Sequence, residues 1–163
     1  MDTDQILVLG IGNLLNTDEG VGVHAVRMMQ AQAEAAGGVE GVVLHDGGTL
    51  GLNLLPLVEE TTHLLILDAV DAGRPPATVV ELTKDEIPLY AGIKMSQHQL
   101  TFQEVLGLAL IRGRLPEYLH LVGLQPVSLE IGTELSPAAA DALPRLVERA
   151  WRVLSRWGVS VPW

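Results

Sequence analysis

Apolar positions in this chain fall into short unbroken runs, each closing on a glycine or an acid, and the runs alternate with stretches of helical spacing. Residues 5–10 (QILVLG) form the first run and read as a strand. A turn-rich stretch follows. A helix is then predicted from about Asp18 or Glu19, with Val21, Ala25 and Met28 or Met29 on one face and Gly37 and Gly38 as its stop. Residues 41–46 (GVVLHD) repeat the strand pattern, a shorter helix is predicted from Leu52 to Glu59, and His63 to Asp68 (HLLILD) supply a third strand.

The second half continues with a strand at 78–82 (TVVEL) and a long loop over 83–97, where charge, Pro88 and Gly92 break any periodicity. Ser96 and Gln99 have the spacing of a capping box, opening a helix with Phe102, Val105, Leu106 and Ala109 on one face. A last strand is predicted at 119–125 (LHLVGLQ), then a helix with Ser136 as N-cap and Pro137 at its first position, running towards Gly158. Pro144 falls inside that helix and should kink it or displace its start.

Strands joined by helical crossovers run parallel, and the helices then cover both faces of the sheet. The expected fold class is therefore α/β, built on a mostly parallel twisted sheet of about five strands. With 163 residues and no repeat, linker or low-complexity segment, one domain spanning 1–163 is expected.

Composition narrows the chemistry. Apolar residues make up 48% of the chain and aromatic residues only 4%, so Leu, Val, Ile and Ala must fill the interior. There is no cysteine, which removes thiol proteases, thiolate zinc sites, iron–sulfur ligation and disulfides together. Metal chemistry would have to use His, Asp and Glu. A formal charge of -10 opposes association with nucleic acid, and no basic patch offsets it. The N-terminus shows no basic segment leading into an apolar one, and no apolar run approaches a membrane span, so a soluble cytoplasmic protein is expected.

In open α/β sheets, ligands bind beyond the carboxyl ends of the parallel strands, and that rule sorts the polar residues. Glu19 follows the first strand, Asp46 ends the second, Asp68 ends the third, and His98 opens a helix that can reach the same edge. Two carboxylates and an imidazole at one rim suit a divalent transition metal, and three protein ligands leave a coordination position open. Blander explanations stay open. Asp18 and Glu19 are equally explained as acids at the positive end of a helix, Asp18 being the better cap; Asp68 also fits a turn, and His98 a capping or surface role. His24, His45, His63 and His120 lie within helical or strand patterns and are assigned no role.

Other readings fail on pattern. Gly10, Ile11, Gly12 lack the third glycine of a dinucleotide fingerprint, and Gly20 and Gly22 come too late to supply it. Asp46, Gly47, Gly48, Thr49 is a single element where an aspartic-protease dyad needs two, and no nucleophile elbow occurs.

Taken in order, ILVLGIGNLLNTDEGVGV at 6–23, DGGT at 46–49, LDAVDAG at 67–73, SQHQL at 96–100 and LVGLQP at 121–126 run through nearly the whole chain. In these segments the chain resembles the maturation endopeptidases of [NiFe]-hydrogenase large subunits. The resemblance implies a three-layer α/β/α sandwich and a peptide-bond hydrolase of aspartic or metal-assisted type. It carries over Glu19, Asp68 and His98 as metal-contacting positions and gives Asp46 a supporting role. It also implies the partner, a nickel-loaded large-subunit precursor whose C-terminal extension is cut after nickel insertion. The nickel would be carried by the substrate and not held permanently. Selectivity among partners is expected in the loop from 83 to 95. Two other classes fit the same ligands: a nickel-responsive chaperone that does not cut, and a metal-dependent hydrolase of small amides.

Overall fold

The computed structural model describes residues 4–49, 51–87 and 102–162. Five strands, β1 (Ile6–Ile11), β2 (Val42–Gly48), β3 (His63–Ala69), β4 (Val79–Thr83) and β5 (Tyr118–Leu124), form one sheet in the order β2-β1-β3-β5-β4. The first three strands and β5 are mutually parallel, with Leu7 opposite Val43 and Leu64, and Ile66 opposite Leu121. The edge strand β4 runs antiparallel to β5, pairing Val79 with Leu124 and Thr83 with His120.

Among the described residues, four helices pack on the sheet: α1 (Val21–Ala35), α2 (Leu55–Glu59), α3 (Phe102–Ile111) and α4 (Pro137–Arg156). Alternation along the strands divides the core in two. Ile6, Val8, Leu65, Leu67 and Val122 face α1 and α4, and Leu7, Leu9, Leu64, Ile66 and Leu121 face α2 and α3. Both sides of each central strand are thus buried, and this is why the strand sequences are apolar without interruption. The expected three-layer α/β/α arrangement is what forms.

Local signals account for most helix boundaries. Ser136 caps α4 by accepting from the Ala139 N–H at 3.3 Å, with Pro137 at the first turn. Phe102, Val105, Leu106 and Ala109 are the buried face of α3, as their spacing predicts. One expectation changes: residues 17–20 form a 3-10 turn, and α1 starts only at Val21. Helix α4 starts at Pro137 and stays helical through Pro144, so the proline does not displace its start. The capping box at Ser96 and Gln99, and most of the 83–97 segment, lie outside the described residues.

Trp151 is fully buried on α4 and donates from Nε1 to Gln32 Oε1 at 2.7 Å. His63, at the amino end of β3, stacks on Tyr118 with ring centroids 4.3 Å apart. Among the described residues no helix is long and apolar enough to cross a membrane.

Candidate active site

The carboxyl ends of β1 and β3 are brought under the start of α1 by glycines that leave no room for a side chain. A Cβ on Gly22 would lie 2.0 Å from the Leu67 carbonyl oxygen and 2.4 Å from that of Ile11, so the first turn of α1 rests on both strand ends. Gly12, at φ +142°, turns the chain out of β1, and a Cβ there would lie 2.0 Å from the Glu19 carbonyl. These glycines serve close packing of helix on sheet, and they place the 3-10 turn that carries Glu19 against β3.

Glu19 is 5% exposed and Asp68 4% exposed. The Asn13 backbone N–H donates to Glu19 Oε2, and the Ala69 N–H donates to Asp68 Oδ1 at 2.8 Å. Asn13 is itself fixed: its Nδ2 donates to Asn16 Oδ1 at 3.0 Å, and its Oδ1 accepts from the Leu15 N–H at 2.9 Å. Burial lifts the Glu19 carboxyl from 4.5 to about 7, against the opposing pull of the Asn13 hydrogen bond. Burial, reinforced by the negative charge of Glu19, holds the Asp68 carboxyl well above the usual range. Two predicted ligands therefore meet as a buried pair, burial resisting the ionisation of both and the charge of Glu19 adding to the resistance at Asp68. In β3 the alternation puts Asp68 on the side of Leu64 and Ile66, the side covered by α2 and α3.

His98, the third predicted ligand, lies outside the described residues, a short stretch before α3 begins. Among the described residues, no group of three or more His, Asp or Glu is arranged to hold a metal. Asp46 stands at the end of β2 opposite Gly10, where Arg27 of α1 pairs with its carboxylate at 3.0 Å. The turn it begins is tied back to the first loop, since the Gly12 N–H donates to the Gly48 carbonyl at 3.0 Å.

Asp18 does something its position next to the helix start does not suggest. Its carboxylate is fully buried and caps no N–H of α1. Instead Oδ2 accepts from the Val127 N–H at 2.9 Å, the Ser128 N–H at 3.1 Å and the Ser136 hydroxyl at 2.8 Å, while Oδ1 accepts from the Ser136 N–H at 2.8 Å. The charge thus sits at the amino end of α4, where the helix dipole favours an anion. It clamps the loop between β5 and α4 to the turn that carries Glu19. Thr17, at φ +46°, holds a conformation a β-branched residue rarely adopts. The same loop enforces it: Thr17 N–H donates to the Gly132 carbonyl at 2.9 Å, and its hydroxyl lies 2.9 Å from the Ser128 carbonyl and 2.8 Å from that of Glu130.

The raised carboxyls carry a stability signature. A carboxyl that holds its proton more tightly in the folded state favours folding at acid pH, and that contribution is lost as pH rises. For Glu19 the loss runs from pH 4.5 to about 7. His24 and His120, whose pKa values burial lowers, push stability the other way, so the useful readout is a difference. Glu19→Gln should gain melting temperature relative to the unaltered protein as pH rises across that window. A difference that is flat or falls with pH contradicts the buried, raised carboxyl.

A family model described as hydrogenase maturation protease matches residues 23–153, a span that contains Asp46, Asp68 and His98 and starts just after Glu19. The chain is 45% identical over 161 residues to the hydrogenase expression/formation protein HupD of Rhodobacter capsulatus, covering 97% of this chain and 75% of that protein. It is 36% identical over 157 residues to the hydrogenase 2 maturation protease of Escherichia coli strain K12, covering 96% of this chain and 94% of that protein. Among solved structures, the hydrogenase maturating endopeptidase HybD from E. coli matches with a TM-score of 0.84 at 34% identity, over 96% of this chain and 95% of that one.

Proposed function

The chain belongs to the hydrogenase maturation protease family and is a peptidase; from that premise we propose that it removes the C-terminal extension of a [NiFe]-hydrogenase large-subunit precursor once nickel has been inserted. The observation that carries the proposal is the buried Glu19–Asp68 pair. Two carboxyls lifted by burial, Asp68 further by the charge of Glu19, form an arrangement that a divalent cation stabilises, because the cation draws both groups back to their ionised forms.

The cation is part of the substrate. Nickel held by cysteine thiolates of the precursor gains oxygen ligands from Glu19 and Asp68 and a nitrogen ligand from His98, a donor set suited to a divalent transition metal. A precursor without nickel offers the pair nothing in exchange for its protons, so engagement reports on metal insertion. Asp46, held by Arg27, supports the rim of the same edge. The chain has no cysteine with which to bind nickel softly in its own right, in keeping with a metal delivered by the partner.

Incubating the protein with a nickel-loaded large-subunit precursor and following the mixture by mass spectrometry tests this reading. Release of one discrete C-terminal peptide is the expected result. Stable binding with no peptide released would point to a chaperone and overturn it.

A further inference from the structure

Leu15 is 62% exposed, Val127 46% and Ile131 92%, so three large apolar side chains stand in water on the two loops that Asp18 binds together. Their backbones are tied to one another. The Gly132 N–H donates to the Leu15 carbonyl at 2.9 Å, Asn16 Nδ2 donates to the Leu129 carbonyl at 3.3 Å, and Val127 hangs from Asp18. Leu15 also lies between Asn13, which holds Glu19, and Glu19 itself. The exposed apolar side chains thus stand on two loops held to each other, one of which carries Glu19.

Within the two loop segments that carry them, the charged side chains are of one sign. From Ile11 to Val26 and from Leu121 to Pro144 the sequence contains no lysine or arginine, while Glu130 and Glu134 are exposed on either side of Ile131. An apolar ledge with an acidic fringe complements a chain segment that offers apolar anchors together with basic side chains.

We propose that Leu15, Val127 and Ile131, fringed by Glu130 and Glu134, form the docking ledge for the precursor segment that flanks the scissile bond, a segment carrying apolar and basic residues. The proposal rests on the reading of the chain as a precursor-cleaving protease. It assigns partner recognition to the loops after β1 and β5, apart from the 83–95 loop. The clamp at Asp18 gives the ledge its value: both loops are ordered before the partner arrives, so little conformational entropy is lost on docking.

The test uses a nickel-loaded large-subunit precursor as probe, with binding followed by interferometry and cleavage by mass spectrometry. Leu15→Ser combined with Ile131→Ser removes exposed side chains only, and the fold is checked by circular dichroism. The double variant is expected to raise KM about tenfold or more with kcat within about twofold, the pattern of lost uniform binding. For the unaltered protein KM should rise with ionic strength, and Glu130→Gln with Glu134→Gln should flatten that rise. If the unaltered protein cleaves the precursor and the serine variant has the same KM, the ledge is overturned and the protease reading stands. If the unaltered protein neither binds nor cleaves it, both are overturned. If the unaltered protein sediments as a dimer and the serine variant as a monomer, the face is a contact between copies, and the ledge is again overturned.

Discussion

Asp68→Asn is expected to abolish precursor cleavage while making the free protein more stable. The amide can still accept the Ala69 N–H, as Asp68 Oδ1 does at 2.8 Å, so the local geometry has no reason to change. What disappears is a buried charge that burial and Glu19 both oppose. At about pH 8 the variant should melt higher by about 2–4 °C, the shift that accompanies about 1 kcal/mol in a chain of this size. Cleavage of a nickel-loaded precursor should fall by about 10³-fold or more, as when one member of a cooperating catalytic set is removed. Gain of stability with loss of function is the signature of a group kept for chemistry against the preference of the fold. Differential scanning fluorimetry and a mass-spectrometric cleavage assay on one preparation give both numbers. A variant that melts lower, or that still cleaves at the normal rate, contradicts the role of the pair.

Asp18→Ala should act in the opposite direction on stability. Removing this carboxylate leaves the Val127, Ser128 and Ser136 N–H groups and the Ser136 hydroxyl without their acceptor. A fully buried stranded donor costs about 1–3 kcal/mol; these donors are part-buried, and relaxation of the loop keeps the sum below simple addition. A loss of about 3 kcal/mol or more in urea unfolding is therefore expected. Asp18→Asn, which keeps an acceptor oxygen and loses the charge, should recover part of it. Cleavage should fall too, because the loop that enforces the strained Thr17 backbone also sets the turn on which Glu19 rides. If Asp18→Ala unfolds at the same urea concentration as the parent, the buried clamp is not holding these loops.

The contrast between Asp68 and Asp18 shows what was legible in the sequence. Asp68 ends an apolar run, and an acid at the carboxyl end of a parallel strand can be placed at the ligand-binding edge from pattern alone. Glu19 was visible for the same reason, although its spacing fitted a helix-end acid equally well. The Ser136–Pro137 start of α4 and the buried face of α3 were readable because their signals are local.

Asp18 gave no such signal, since its partners lie more than a hundred residues along the chain. Nothing local says that a loop after β5 will fold back over the turn after β1. The reversal of β4 was equally hidden, because TVVEL reads the same in either direction and only pairing with β5 sets its sense. The tight seat of Gly22 against Leu67 and Ile11 likewise exists only once β1 and β3 lie side by side.

If Glu19, Asp68 and His98 read nickel presented by the substrate, as proposed, cleavage must depend on the metal state of the precursor. Purified protein, stripped of metal, is mixed in parallel with the same large-subunit precursor in nickel-loaded and nickel-free form, and the C-terminal peptide is quantified by mass spectrometry over time. Peptide should appear only from the nickel-loaded precursor, and only with protein in which Glu19, Asp68 and His98 are intact. Equal cleavage of both precursor forms, or full activity of His98→Ala, would contradict that proposal.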